Sequence, residues 1–375
     1  MSNFKFEVKL EQHTPMIHFQ KNASLRATEL KPKLDKFLKS KHIDLPFSDH
    51  NTLDYKVKIS AKIENENIES PSKKPGGRPV QFPMFFANMG DDGEDKIFSL
   101  TKDIIKIEFF SFQKQIIKAI KNNFADFLLK TNFGTRQSKG FGSFYIHPDD
   151  TKYYKEPKLK YKFTVKKNDI RTVFEQIELF YKTLRSGLNE YRGPKKGTIL
   201  YFKSLMFLYA KNKENQWGKS IQWDKKSIKE VYFKKQLSKD NKKHNYQDIL
   251  NYSSDDKKLM RDLLGLSCSE QWGNPYKTTI NKEDKNQKIE RYKSPVIFKP
   301  FKNKNNGFDV HFYAEKTDPN FLGNWFSIKT GDKGELQLQT PTKFDVDKFL
   351  DFALSVDLDS HVDSKFHGSS EFQGM

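Results

Sequence analysis

Phe133-Gly134-Thr135-Arg136-Gln137-Ser138-Lys139-Gly140-Phe141-Gly142-Ser143 is the stretch on which the fold assignment turns. Glycine tolerates positive φ and lets a backbone approach a ligand closely. Successive exposed amides in such a turn form anion-binding nests. Arg136 and Lys139, set between the glycines, would add charge-assisted bonds to phosphate oxygens. The alternative is an ordinary helix-to-strand connection. It is not a Walker A loop, because the glycines precede a strand instead of opening a helix.

The flanking segments place this loop in a fold. Upstream, Phe112, Ile116, Ile117, Ile120, Phe124, Phe127 and Leu128 form an i, i+4 stripe, with Lys114, Lys118 and Lys121 off it. That is an amphipathic helix. Downstream, Phe144–His147 reads as a strand. Phe4–Leu10 alternates apolar and charged residues, as does Tyr55–Ile63, and Ile104–Phe112 reads as a third strand. The first strand is extended through Thr14-Pro15-Met16-Ile17-His18-Phe19. Leu25–Leu38 sets Leu30, Leu34, Phe37 and Leu38 at helical spacing. Pro32 restricts where that helix starts, since proline fits a first turn but not a helix interior. Strand, helix, strand, strand, helix, strand is the split βαβ, ferredoxin-like order. It predicts an α+β domain over residues 1–150: a four-stranded antiparallel sheet with two helices on one face.

Glu64–Lys96 is a long insertion in that plan, rich in proline and glycine. Its apolar centre, Val80-Gln81-Phe82-Pro83-Met84-Phe85-Phe86, reads as a protruding hairpin, the other reading being a disordered segment. The acidic run Asp91-Asp92-Gly93-Glu94-Asp95 lacks the spacing of a calcium loop and reads as a solvated turn. Beyond residue 150, Val165–Leu188 and Lys203–Asn212 read as helices and Met260–Leu266 as a short one. Arg291–Phe301 and Phe308–Ala314 read as strands, and Lys343–Val356 as a last helix before a polar, fraying tail over 357–375. Lys234–Lys258 reads as a loop.

The chain has 375 residues, and a length prior of about 100–200 residues per domain predicts two domains. Aromatic residues make up 14% of it, which argues against wholesale disorder. No run reaches the roughly 20 apolar residues of a membrane span, and the start is not a secretory signal. The single cysteine, Cys268, excludes an intrachain disulfide and a cysteine-based zinc cluster, so a cytoplasmic, reducing location is expected. The net charge of +19 calls for an anionic partner. The window Gly193–Lys243 holds 14 lysines against 4 acids, interleaved with Tyr201, Phe202, Phe207, Tyr209, Trp217, Trp223, Tyr232 and Phe233. Single-stranded nucleic acid binds where a positive groove runs beside stacking rings. A solvated lysine-rich surface over core rings is the other reading.

Three motifs resemble the RAMP superfamily of CRISPR-associated proteins. Gly134–Ser143 is similar to that family's glycine-rich loop, which lies between the second helix and fourth strand of a ferredoxin-like domain. His13-Thr14-Pro15-Met16 followed by Leu25-Arg26-Ala27-Thr28-Glu29-Leu30-Lys31 resembles its first strand, "TP" turn and first-helix start. Arg291-Tyr292-Lys293-Ser294-Pro295-Val296 resembles an "R-x-x-SP" strand of Cmr-type members. The likeness is greatest to the first subunit of the Cmr (type III-B) module. Pro32 stands where the family has glycine, and Lys139 where it has a second arginine. The resemblance implies two ferredoxin-like (RRM-like, βαββαβ) domains, 1–150 and 151–356, the second helix-rich and degenerate or elaborated. It implies an RNA-binding, non-catalytic subunit of a type III effector in antiviral defence, with CRISPR RNA or target RNA and other subunits as partners, and no membrane.

The residues expected to hold RNA are Gly134, Arg136, Lys139, Gly140, Phe141, Gly142 and Ser143, with the amides around Gly140 and Gly142 on phosphates. Arg26, Lys31 and Lys33 extend the track. Some RAMP relatives cleave RNA without metal through a histidine base, which makes His13 and His147 the catalytic alternatives. His18, five residues from His13 on extended chain, faces away from it. No metal site and no cofactor are expected. A third reading is a docking scaffold that uses the Phe82–Phe86 segment.

Overall fold

Burial of Phe6, Val8 and Leu10, every second residue of β1 (Lys5–Gln12), fixes which face of the first sheet looks inward. A computed structural model describes residues 3–18, 24–61, 65–68, 97–191, 199–212, 221–233, 257–272, 277–286, 288–331 and 333–361. The Val80–Phe86 segment, the Asp91–Asp95 run, Trp217 and the tail past 361 lie outside them. In the sheet, β1 pairs antiparallel with β6 (Ile105–Phe110) and β7 (Phe144–Ile146), and β6 with β3 (Lys56–Ser60). Across the sheet the order is β3-β6-β1-β7. In the chain, α1 (Ala27–Ser40) lies between β1 and β3, and α2 (Lys114–Leu129) between β6 and β7. Phe6, Ile107 and Phe109 share one core with Leu30, Leu34 and Leu38 of α1 and Ile116, Ile120 and Phe124 of α2.

Three local expectations are corrected. The first strand does not run on past Pro15: β2 (Met16–His18) leaves the first sheet and pairs with β5 (Ile97–Thr101), which pairs with β4 (Asn65–Ile68). Pro15 has no N–H to continue a ladder. Helix α1 begins at Ala27 and runs through Pro32. A proline there costs about 3 kcal/mol, offset by Leu30, Leu34 and Leu38, all fully buried. Phe112 falls outside α2 and is 80% exposed. Further on, Val165 closes a strand, β8 (Tyr161–Val165), and the helix α3 (Ile170–Arg185) starts after Asp169, whose carboxylate accepts from Thr172 N–H at 2.9 Å. The expected strand Arg291–Phe301 is interrupted at Ser294-Pro295 and resumes as Val296–Lys302, part of a three-stranded sheet with Phe308–Ala314 and β8.

Internal contacts divide the chain into two compact units, Met1–Ile177 with Ile297–Tyr313, and Glu178–Val296 with Ala314–Met375. The described residues of the second unit build a six-stranded mixed sheet. Gln222–Trp223, Lys257–Lys258 and Lys333–Gln339 run parallel, and Trp325–Thr330, Thr278–Asp284 and Ser269–Trp272 follow antiparallel. That arrangement differs from the all-antiparallel order of the first unit's sheet. Three cations and three carboxylates meet beneath it. Lys282 Nζ lies 2.7 Å from Asp262 and 2.9 Å from Glu270, and Arg185 reaches the same two carboxylates at 3.0 and 3.1 Å. Arg261 joins Asp224 at 2.8 Å to Glu270 at 3.1 Å. Burial alone would raise the Glu270 carboxyl, but Arg261, Lys282 and Arg185 hold it well below the usual range. Charges so buried are tolerable only as a set. Lys282→Ala is therefore expected to cost about 3–5 kcal/mol, read as a fall in the urea midpoint. Lys329→Ala, at an exposed pair with Glu283 (2.8 Å), should leave that midpoint nearly in place.

Candidate nucleic-acid interface

The loop from Phe133 to Ser143 is bound into the first unit by its own backbone. Gly142 N–H donates to Pro15 C=O at 2.8 Å, Gly140 N–H to Gln137 C=O at 3.2 Å, and Thr135 N–H to Ile17 C=O at 3.1 Å. Three side chains complete the frame. Thr14 Oγ1 donates to Gly140 C=O (2.6 Å) and accepts from Ser143 N–H (3.0 Å). Asn132 Nδ2 donates to Gln137 C=O (2.7 Å) and Phe298 C=O (2.8 Å). Glu29 of α1 accepts from Gly134 N–H at 2.8 Å and pairs with Lys33 at 2.8 Å. The glycines permit close approach, but of the chain to itself. A Cβ on Gly142 would lie 1.9 Å from Phe133 C=O, and one on Gly134 2.6 Å from the Met16 side chain.

This geometry redistributes the expected roles. The amides of Gly140 and Gly142 are committed internally, so the expected phosphate bonds to them are not available. Phe141 is fully buried and stacks on Phe174 at 4.0 Å, and Ser143 donates its hydroxyl to Pro300 C=O at 2.7 Å. Lys139 is buried, its backbone bridged to Phe298. Half-buried residues remain at the rim, Gly134 to Gln137. Among them Arg136 stands at φ +57°, a left-handed conformation that a side chain adopts at a cost. Burial pulls its guanidinium down to about 10. Arg26, the N-cap residue of α1, is also half-buried. Lys31 Nζ donates to Leu53 C=O at 2.5 Å and sits 3.7 Å over the Tyr55 ring, while Lys33 also donates to Asn132 C=O at 2.9 Å. Both lysines thus brace α1 as well as carrying charge.

One cation escaped the sequence reading. Lys299 is fully buried, and its Nζ donates to Thr131 C=O (2.7 Å) and Phe144 C=O (3.1 Å), behind the loop. Burial first, and Lys33 second, lower its pKa well below the ordinary value. Its signal was a lone lysine inside the apolar run Val296–Phe301. The aromatic-and-lysine window of the second unit fares differently. Phe202, Phe207, Tyr209, Trp223, Tyr232 and Phe233 are all buried, so these rings are core and not stacking platforms.

Residues 3–188 match the Cmr1 N-terminal domain, and residues 201–371 match the Cmr1 C-terminal domain. The chain belongs to the Cmr1 family. Membership of that family implies a subunit of a type III CRISPR complex, as the three motifs led one to expect. The crystal structure of Cmr1 from Pyrococcus furiosus, in its apo form, is similar over 94% of this chain and 96% of that one, at 11% identity and a TM-score of 0.36. No curated protein matches the chain.

In this Cmr1 family member the two catalytic alternatives differ in setting. His13 is 5% exposed, edge-on to Phe301 at 5.4 Å, and its Nδ1 accepts from Lys302 N–H at 3.1 Å. With Nδ1 taken as acceptor, the neutral ring carries its proton on the buried Nε2, a poor arrangement for a base. His147 is half-buried, and its Nδ1 accepts from Asp149 N–H at 3.2 Å. The side chain of His18 lies outside the described residues.

Two outcomes test this frame. Gly142→Ala meets Phe133 C=O and is expected to destabilise by well over the ~1–2 kcal/mol of left-handed strain alone, which is what Gly331→Ala should show, having nothing within 4 Å. The second concerns pH. Burial, with Lys299, Lys302 and His147 adding to it, lowers His13 well below its ordinary 6.5. The unfolded chain then binds the proton more readily. The stability His13 contributes is complete above pH 6.5 and is lost as pH falls below it. His13→Asn keeps an acceptor for Lys302 N–H and removes the titration. Its urea midpoint should fall less between pH 7.5 and 5.5 than that of the parent, both pH values being roughly one unit either side of the histidine range.

Proposed function

We propose that this chain is an RNA-binding, non-catalytic subunit of a type III CRISPR effector, holding the ribose-phosphate backbone of guide or target RNA. In this reading residues 1–150 are a ferredoxin-like domain, supported by the β3-β6-β1-β7 order and the helix after each of β1 and β6. The second domain is an elaborated relative of it. The glycine-rich loop is a rigid mount, and Arg136 carries the contact. Lys139 and Lys33 add positive field behind it, and Arg26 extends the track.

The observation that carries this reading is the conformation of Arg136. A non-glycine residue at φ +57° persists only where its surroundings over-determine it, and such strain gathers at functional sites. Arginine is the side chain whose planar fork matches phosphate. The setting of His13 favours binding over cleavage, since its Nδ1 lone pair already accepts a backbone N–H.

The test separates strain from contact. Glycine suits the left-handed position, so Arg136→Gly should leave the urea midpoint unchanged or raised, by a gain in stability of up to about 1 kcal/mol. Filter binding of single-stranded RNA across a salt series should show affinity reduced for all sequences alike. The log–log slope should shrink by about 0.7, the contribution of one neutralised phosphate. A slope equal to the parent's would take Arg136 out of the interface.

A further inference from the structure

The outer face of the first unit's sheet has the make-up of a second binding surface. Side chains that alternate with the buried Phe6, Val8, Ile107 and Phe109 point away from the core. Lys5 and Lys9 of β1, Lys106 of β6, and Lys56 and Lys58 of β3 are all exposed there. Only two acids oppose these lysines in the paired region, Glu7 and Glu108, and both are drawn onto Lys5, at 2.6 and 2.7 Å. Glu11, at the far end of β1, is paired with Lys302 at 3.2 Å. The face therefore keeps an excess of positive charge.

Two rings sit in this field. Phe110 lies on the outer face, in register with Lys5 on one neighbouring strand and Lys56 on the other. Phe112 follows it, with ring centroids 5.0 Å apart and planes at 81°. Phe112 is 80% exposed, and the next large apolar side chain among the described residues, Val231, reaches only 50%. Folding does not account for that ring: it precedes α2, whose first residue is Lys114, and packs into no core. Rings on a basic sheet are surfaces on which unpaired bases stack while lysines hold the backbone.

We propose that this face binds a single-stranded stretch of RNA, with a base stacked on Phe112 beside Phe110 and phosphates on Lys56 and Lys58. The proposal rests on the RNA-binding reading above and uses residues distinct from the loop rim. It is tested with the full-length chain and a fluorescein-labelled single-stranded RNA of about 16 nucleotides, followed by anisotropy. Phe112→Ala should weaken binding about fivefold or more, and Phe112→Trp should restore it. Lys56→Ala with Lys58→Ala should lower the log–log salt slope by about 1.4, two phosphates' worth. These exposed substitutions should leave the urea midpoint in place.

The outcomes distinguish the two readings. Parent-like binding by Phe112→Ala, with binding weakened in Arg136→Gly, overturns the sheet-face proposal, leaves the loop reading standing and assigns the ring to a protein contact. Weakened binding in Phe112→Ala, with parent-like binding by Arg136→Gly, supports the sheet face and overturns the loop. A parent protein that does not bind this RNA overturns both.

Discussion

A buried turn must satisfy its own backbone, and that requirement governs what the glycine-rich loop can offer. Ser138 to Ser143 is buried, so its amides and carbonyls pair with Pro15, Gln137, Thr14, Phe133 and Phe298. An anion nest needs amides left pointing at solvent. Those of Gly140 and Gly142 do not. What the loop gains is rigidity: at Gly134 and Gly142 backbone lies so close to backbone that a methyl group would collide, and at Gly140 it would meet the Pro300 ring. Charge must then come from side chains on the half-buried part, and a rigid mount is what a single guanidinium needs to present its fork in one orientation.

The frame reaches well beyond the loop. Glu29 can bond to Gly134 only because α1 already runs through residue 29, three residues ahead of Pro32. Starting the helix at the proline would remove that carboxylate from the loop, together with the buried Leu30. Thr14 is available to Gly140 and Ser143 because Pro15 ends the first ladder and turns the chain toward β5. Two prolines, one read in the sequence as a limit on a helix and the other as part of a strand, thus mark the places where neighbouring elements are handed over to the loop.

Much of the first unit was legible because its signals are periodic. Alternation in Phe4–Leu10 and Tyr55–Ile63 and the stripe over Ile116–Leu128 each have one geometric meaning, and strands and helices lie there within a few residues. The position of the glycines was legible too, but not what approaches them. Phe133 C=O beside Gly142 is a tertiary fact that no local pattern encodes. Composition misled in the second unit. A ring that stacks a base and a ring that fills a core are the same residue, and lysines interleave with both. Tyr232 follows lysines because a short amphipathic helix, Asp224–Tyr232, puts one face in and one face out, while Phe207 and Trp223 fill the interior on a helix and a strand nearby in sequence. Lys282 shows the same limit from the other side: a lysine in the polar-looking strand Thr278–Asp284 is among the most buried groups described.

Net charge therefore says less than its placement. In the second unit, Arg185, Arg261 and Lys282 are matched one for one with Asp224, Asp262 and Glu270, so these cations hold a sheet together and project little field. In the first unit the balance differs. Among the described residues Lys299 bonds to two carbonyls, and five exposed lysines on the outer sheet face two acids. Burial with a partner converts charge into architecture, whereas exposure without one leaves it to act on whatever arrives. On that criterion the lysine-lined sheet of the first unit keeps exposed positive charge that its two acids do not match.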